Sequence, residues 1–161
     1  MNTCDLVDQF ADEIQVAETI GLKHYGKQQR FSGKIQTLTC FEDNSLLKKI
    51  VSAPNVASVL VVDAGGSMRC ALVGDLIAAL AVDNDWAGII INGCIRDSVA
   101  LLQIPIGIMA LGSNPKKSSK LDLGEIGTPV SFAGIRFESG DYLFADEDGI
   151  VVAKRDLAVL Q

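Results

Sequence analysis

Histidine is almost missing: His24 is the single imidazole in 161 residues. That removes the usual ligand sets for zinc, copper and non-haem iron and argues against a Ser-His-Asp or Cys-His mechanism. Chemistry in this chain has to run on carboxylates, arginine, water and, where one is bound, a metal. Cysteine is sparse as well, and Cys4, Cys40, Cys70 and Cys94 are widely separated with no C-x-x-C pair. Three of them, Cys40, Cys70 and Cys94, lie in or beside apolar, strand-like segments, so reduced and partly buried thiols are expected in place of disulfides or zinc. Long apolar runs are absent, and none reaches the length of a membrane span. The N-terminal Asp5, Asp8, Asp12 and Glu13 stand where a signal peptide needs a basic start and an apolar centre, so a cytoplasmic protein without membrane contact is expected. Positive charge is scattered. The net charge is -6 and no run of Lys or Arg exceeds two, with Lys48-Lys49 and Lys116-Lys117 the densest spots, which disfavours direct nucleic-acid binding.

Hydrophobic residues make up 48% of the chain, enough at this length for one well-buried core and short for two, so residues 1–161 read as a single domain. Leu6, Phe10, Ile14 and Ala17 recur with helical spacing and predict a helix over 4–20 with poorly marked caps. Period-two alternation predicts a strand over 31–40, and Asp43 offers an N-cap to a helix over 44–51. Residues 56–63 are a nearly continuous β-branched strand stopped by Gly65-Gly66, and 69–73 form another extended run. A helix over 75–82, a buried strand over 88–92, a short helix over 98–102 and a strand over 106–111 follow. Residues 112–120 are polar and turn-rich and read as an exposed loop. Short strands over 129–132, 135–137, 142–146 and 149–153 are joined by Gly- and Asp-containing turns. The fold class is therefore α/β, with a central strand-helix-strand region and an antiparallel β carboxyl third.

The pattern that carries chemistry is Asp75, twenty intervening residues, then Arg96-Asp97. Each cluster ends an apolar, strand-like run and opens a helix-like one, in Leu72-Val73-Gly74-Asp75-Leu76-Ile77 and Ile91-Asn92-Gly93-Cys94-Ile95-Arg96-Asp97. Two carboxylates and a guanidinium should meet at the strand-to-helix edge of one sheet, a setting suited to a hard divalent cation and a small anionic substrate. Taken singly, each acid has a plainer explanation as a cap, Asp75 for the helix that follows it and Asp97 for the helix at Ser98. Their pairing beside an arginine points beyond capping. On this reading the backbone N–H groups of Gly74, Asp75, Leu76 and Ile77 hold a substrate carboxylate and the Asp75 side chain holds a water. Arg96 forms a two-pronged pair with a carboxylate and stabilises enolate charge, while Asp97 binds Mg2+ or Mn2+. Elsewhere, Gly65-Gly66-Ser67 lacks the Gly-Lys-Ser/Thr ending of a phosphate loop and reads as a tight turn. Trp86 reads as a packing residue, Asp146-Glu147-Asp148 as a solvated turn, and His24 has no assigned role.

Over essentially its whole length the chain resembles the RraA-like family, which includes regulators of ribonuclease E activity and 4-hydroxy-4-methyl-2-oxoglutarate aldolases. The matching stretches are Cys40-Phe-Glu-Asp-Asn-Ser-Leu-Leu47, Val61-Val-Asp-Ala-Gly-Gly-Ser67, Ala71-Leu-Val-Gly-Asp-Leu-Ile77, Trp86-Ala-Gly-Ile89, Gly93-Cys-Ile-Arg-Asp97, Phe132-Ala-Gly134 and Gly140-Asp-Tyr-Leu-Phe-Ala-Asp146. The resemblance implies a swivelling β/β/α domain in a ring-shaped homotrimer with active sites between subunits. In the aldolase branch it implies substrate contacts from Gly74, Asp75, Leu76, Ile77 and Arg96, and a divalent metal (Mg2+ or Mn2+) on Asp97. The expected activity is a metal-dependent lyase acting through a pyruvate enolate on pyruvate-type oxo acids such as oxaloacetate and 4-hydroxy-4-methyl-2-oxoglutarate. Because the sequence stops at Gln161, short of the extension found in longer aldolases, oxaloacetate decarboxylation is expected to be prominent. The other branch implies a non-catalytic regulator that binds and inhibits ribonuclease E.

Overall fold

The segment Val59–Asp63 faces two cores at once. Leu60 and Val62 pack to one side and Val59 and Val61 to the other, all four fully buried. Burial on both faces is why this stretch is continuously β-branched or leucine instead of alternating with polar residues.

The computed structural model describes residues 2–160. In chain order its elements are α1 (Thr3–Phe10), β1 (Ile14–Val16), β2 (Lys23–His24), β3 (Phe31–Thr39), α2 (Ser45–Val51), β4 (Val59–Asp63) and β5 (Ala71–Val73). They continue with α3 (Asp75–Asp83), β6 (Gly88–Ile95), α4 (Ser98–Leu101), β7 (Gly107–Ser113) and β8 (Glu125–Ile126). The carboxyl third holds β9 (Val130–Phe132), β10 (Ile135–Phe137), β11 (Tyr142–Asp146) and β12 (Gly149–Ala153).

One sheet runs in the order β1-β12-β11-β3-β4-β6-β7-β2, with β5 beside β6 and β8 beside β3, and β9-β10 forms a separate hairpin. Strand β3 joins two regimes. Its first residues, Phe31 to Lys34, pair antiparallel with β11, while Ile35 to Thr39 run parallel to β4 from Ile35↔Val59 to Thr39↔Asp63. On one face of the parallel strands, Leu47 and Val51 of α2, Ile77, Ala78 and Ala81 of α3 and Leu101 of α4 pack against Leu60, Val62, Ile89, Ile91 and Ile108. On the other face Val59, Val61, Ile90 and Met109 meet Phe137, Leu143, Ile150 and Val152. Helices, parallel sheet and antiparallel strands thus stack as the expected β/β/α layers.

Several sequence expectations need correction. The first helix stops at Phe10, because Ile14 to Val16 alternate as a strand and cover the edge of β12 through the pairs Ile14↔Ala153 and Val16↔Val151. Its start is well marked: Asn2 accepts the Asp5 N–H at 2.8 Å and Asp5 accepts the Asn2 N–H at 3.2 Å, a reciprocal capping box. Strand β6 runs on to Ile95. Gly93 allows this, since a Cβ there would lie 2.8 Å from the Ala64 methyl. Asp146 is not part of a solvated turn. It is 3% exposed and accepts the Thr3 N–H at 2.6 Å and the Thr3 hydroxyl at 2.7 Å, which ties α1 to the end of β11; only Glu147 and Asp148 are solvated. His24 sits on the two-residue strand β2, its Nε2 2.8 Å from the Asp146 carbonyl. Other expectations hold: Gly65 and Gly66 make a tight turn at φ 66° and 72°, Trp86 is buried, and Cys40, Cys70 and Cys94 are buried free thiols. Burial pushes the Cys40 thiol up to about 12, so it is inert as a nucleophile at neutral pH.

Candidate active site

Strands β5 and β6 lie side by side, and the Arg96 N–H donates to the Val73 carbonyl at 2.9 Å, so both strands end at one level. Helix α3 starts immediately after β5 and α4 immediately after β6. The sequence clusters at 74–77 and 96–97 therefore meet, as their spacing predicts. Asp97 adopts a left-handed backbone (φ 57°, ψ 40°), uncommon for a residue with a side chain, and its carboxylate turns toward the start of α3. There Oδ2 accepts the Asp75 N–H at 3.2 Å and lies 3.8 Å from the Arg96 Nε. Asp75 Oδ1 accepts the Leu76 N–H at 2.8 Å. The first amides of α3 thus draw in two carboxylates from the chain itself, the pull on anions that a helix N-terminus exerts.

Gly74 makes this approach possible. A Cβ at Gly74 would stand 2.5 Å from Asp97 Oδ2 and 3.4 Å from the Arg96 Nε. Its backbone (φ -125°, ψ -167°) is open to any residue, so alanine at 74 changes only the space at the site. Gly74→Ala is expected to push Asp97 and Arg96 out of place and to lower kcat/KM on an oxo-acid substrate about 100-fold, with the thermal unfolding midpoint little changed. Steady-state rates beside a melting curve check this.

These residues line a cavity of about 510 Å³ whose walls also include Asn44, Lys48, Lys117, Ser118 and Lys120. The stretch 112–120, expected as an exposed loop, is largely exposed and also partly structural. Strand β7 extends to Ser113, Ala71 donates its N–H to the Lys116 carbonyl at 2.9 Å, and Ser119 donates its N–H to the Glu42 carbonyl at 2.8 Å. Bridges at Ala71↔Lys117 and Asp43↔Ser119 lay this strap along the cavity.

Asp43 pins it. Fully buried, its carboxylate accepts the Ser45 N–H at 3.1 Å, the Ser45 hydroxyl, the Ser119 hydroxyl at 2.9 Å and the Leu121 N–H. The cap position of α2 is Asn44, yet Asp43 serves the N-terminus from one residue earlier. Burial alone would raise the Asp43 pKa, but these donors outweigh it and hold the group at about 2, against an ordinary 3.8. A folded-state pKa below the unfolded one means that this stabilisation is complete above about pH 4 and is lost as pH falls toward about 2. Asp43→Ala is expected to cost about 3 kcal/mol and to flatten the acid limb of the stability curve in that window. Denaturant unfolding between pH 2 and 7 measures both.

Among the described residues no three His, Cys, Asp or Glu side chains gather into a metal cage. A Mg2+-type ion needs none, since one or two carboxylates with water and substrate oxygens suffice. Asp97, 37% exposed at the cavity rim, fits that donor set.

The sequence profile described as Aldolase/RraA matches residues 3–152. The chain belongs to the RraA-like family. It is 50% identical over 155 residues, 96% of each chain, to an Alkalilimnicola ehrlichii protein named "Putative 4-hydroxy-4-methyl-2-oxoglutarate aldolase". A Geobacillus kaustophilus structure named as an S-adenosylmethionine:2-dimethylmenaquinone methyltransferase superposes with a TM-score of 0.96 at 46% identity, covering 99% of this chain and 98% of that one. The structure of the RNA-processing inhibitor RraA from Thermus thermophilis gives a TM-score of 0.92 at 38% identity, covering 96% and 93%. What sequence reasoning missed at this RraA-like site is its far wall. Lys48 and Lys117 stood out only as basic doublets, and nothing local in the sequence shows that α2 and the strap face the same cavity.

Proposed function

We propose that this RraA-like protein is a divalent-metal-dependent carbon-carbon lyase, a 4-hydroxy-4-methyl-2-oxoglutarate aldolase that also decarboxylates oxaloacetate. The observation that carries this reading is the convergence of Arg96, Asp97 and the α3 N-terminus in a cavity large enough for a small oxo acid. The aldolase name of relatives near half identity agrees with it.

In this mechanism Asp97 holds Mg2+ or Mn2+. When bound, the ion supplies Lewis-acid polarisation of the substrate's 2-keto group. The α3 amides at Asp75, Leu76 and Ile77 receive the substrate carboxylate next to that group, in place of the chain's own carboxylates that reach them now. Arg96 faces the oxygen on which negative charge grows as the carbon-carbon bond breaks, and its planar fork stabilises the enolate. Asp75 orients a water that gives a proton to the enolate carbon after cleavage and, in the aldol case, takes the proton from the 4-hydroxyl. No lysine Schiff base is needed. Leu76, 78% exposed, Val99, 80% exposed, and Leu102 leave an uncovered apolar rim beside the site. Such a rim supports a site closed by a neighbouring subunit, as in the homotrimer expected of the family.

Exchange of the pyruvate methyl protons in D2O, followed by proton NMR with Mg2+, tests the enolate directly. Metal-dependent loss of the methyl signal supports the lyase. No exchange above the protein-free rate contradicts it.

The 38% identity to a structure named as an RNA-processing inhibitor favours a second reading, binding to ribonuclease E without chemistry. A pull-down with the nuclease that is indifferent to Asp97→Ala, together with absent methyl exchange, supports that reading instead.

A further inference from the structure

Two sulfur atoms meet at a place that the lyase mechanism does not use. The Cys94 thiol donates to the Met68 thioether, with Sγ and Sδ 3.4 Å apart. They come from different segments: Cys94 lies near the end of β6, and Met68 stands in the turn that follows Gly65-Gly66 and leads to β5. Their exposures are opposite. Cys94 is 1% exposed, whereas Met68 is 50% exposed, so the buried thiol is approached from solvent along the Met68 side chain.

The backbone holds both partners in place. Cys94 is paired on two sides, with Ala71 of β5 and with Gly112 of β7. The Met68 carbonyl accepts the Asn114 Nδ2–H at 2.8 Å, and the turn before it is closed by the Gly66 N–H on the Asn92 carbonyl at 3.0 Å. Residue 112 leaves room for the pair. A Cβ at Gly112 would stand 2.7 Å from Met68 Cε and 3.9 Å from Cys94 Sγ.

A thiol and a thioether are soft donors, which together select a cation such as Cu(I) over Mg2+, Mn2+ or Ca2+. Burial first, and the nearby Cys70 second, raise the Cys94 pKa, so at neutral pH the group is a thiol whose proton already points at Met68. A cation that bonds strongly to sulfur takes the place of that proton. The S–H bond breaks, a sulfur–metal bond forms, the proton passes to water, and no electron changes hands. With bonds of about 2.3 Å, a linear arrangement needs the sulfurs roughly 1 Å further apart than they stand now. The unbranched, half-exposed Met68 side chain has the freedom to open by that much.

We propose that Cys94 and Met68 form a two-sulfur site for a soft monovalent cation, Cu(I) or its analogue Ag(I), entered from the Met68 side. It shares no ligand with the acid-arginine cluster and stands independently of the lyase reading.

The test takes Cys4→Ser as the parent protein, because Cys4 is an exposed thiol that would itself collect such metals. In oxygen-free buffer with ascorbate, competition with the Cu(I) chelator bicinchoninate should show one Cu(I) bound per chain. Met68→Leu, close in volume, should weaken binding at least tenfold, and Cys94→Ser should abolish it, with both variants giving unchanged melting curves. Ag(I), which needs no reductant, is then added to protein carrying 13C-labelled methionine methyl groups. The Met68 methyl signal should shift while that of the buried Met109 stays in place. No Cu(I) uptake by the parent, uptake indifferent to Met68→Leu or to Cys94→Ser, or a Met68 methyl signal that ignores Ag(I) overturns the site.

Discussion

Pyruvate release from oxaloacetate is expected to fall to the metal-only background when Asp97 is replaced by asparagine or alanine, a loss of about 1000-fold or more. In the proposed mechanism Asp97 is the carboxylate that would hold the cation, and its Oδ2 is the atom that meets the Asp75 N–H and the Arg96 Nε. Its left-handed backbone makes asparagine the cleaner variant. Asparagine tolerates φ near 57° and keeps the side chain's shape, while alanine adds roughly 1 kcal/mol of backbone strain to the loss of charge. Both variants should fold, because the side chain is exposed. Activity of the asparagine variant near that of the parent would remove Asp97 from the mechanism.

Arg96→Lys is expected to lower kcat/KM on the same substrate by about 100-fold to 1000-fold. The Arg96 backbone is fixed by its bond to Val73, and its side chain is only 32% exposed, so the guanidinium is presented to the cavity by a rigid strand end. Lysine keeps the charge there but presents a point ammonium in place of a planar fork. If Arg96 acts on charge that appears during bond cleavage, the loss falls in kcat. A rise confined to KM would restrict Arg96 to holding the ground-state carboxylate, and near-normal values of both would exclude it from the site.

The acid-arginine part of this site is readable from the sequence because local rules place it. Gly74-Asp75 and Arg96-Asp97 each stand where a β-branched run gives way to helical periodicity, and adjacent parallel strands bring such junctions to one edge. The lysines of the strap are not readable as part of it, because Lys117 and Lys120 reach the cavity through contacts such as those of Ala71 with Lys116 and of Asp43 with Ser119 and Leu121, far apart in the chain. The left-handed turn at Asp97, which sets the direction of its carboxylate, also left no local mark. The fold shows the same division. Strand β4, buried on both faces, announces itself by composition, whereas Ile14 to Val16 satisfies a helical and a strand period at once, and only the open edge of β12 decides between them. Asp146 looked like the first residue of an acidic turn because the Thr3 donors that bury it lie at the other end of the chain.

Purified protein assayed for pyruvate release from oxaloacetate, with Mg2+ or with EDTA and corrected for the spontaneous and metal-only reactions, tests the central claim most directly. The account predicts turnover with Mg2+ that EDTA abolishes and that added Mg2+ restores. Turnover indifferent to EDTA, or none above the metal-only rate, would contradict a metal-dependent lyase built on Arg96 and Asp97.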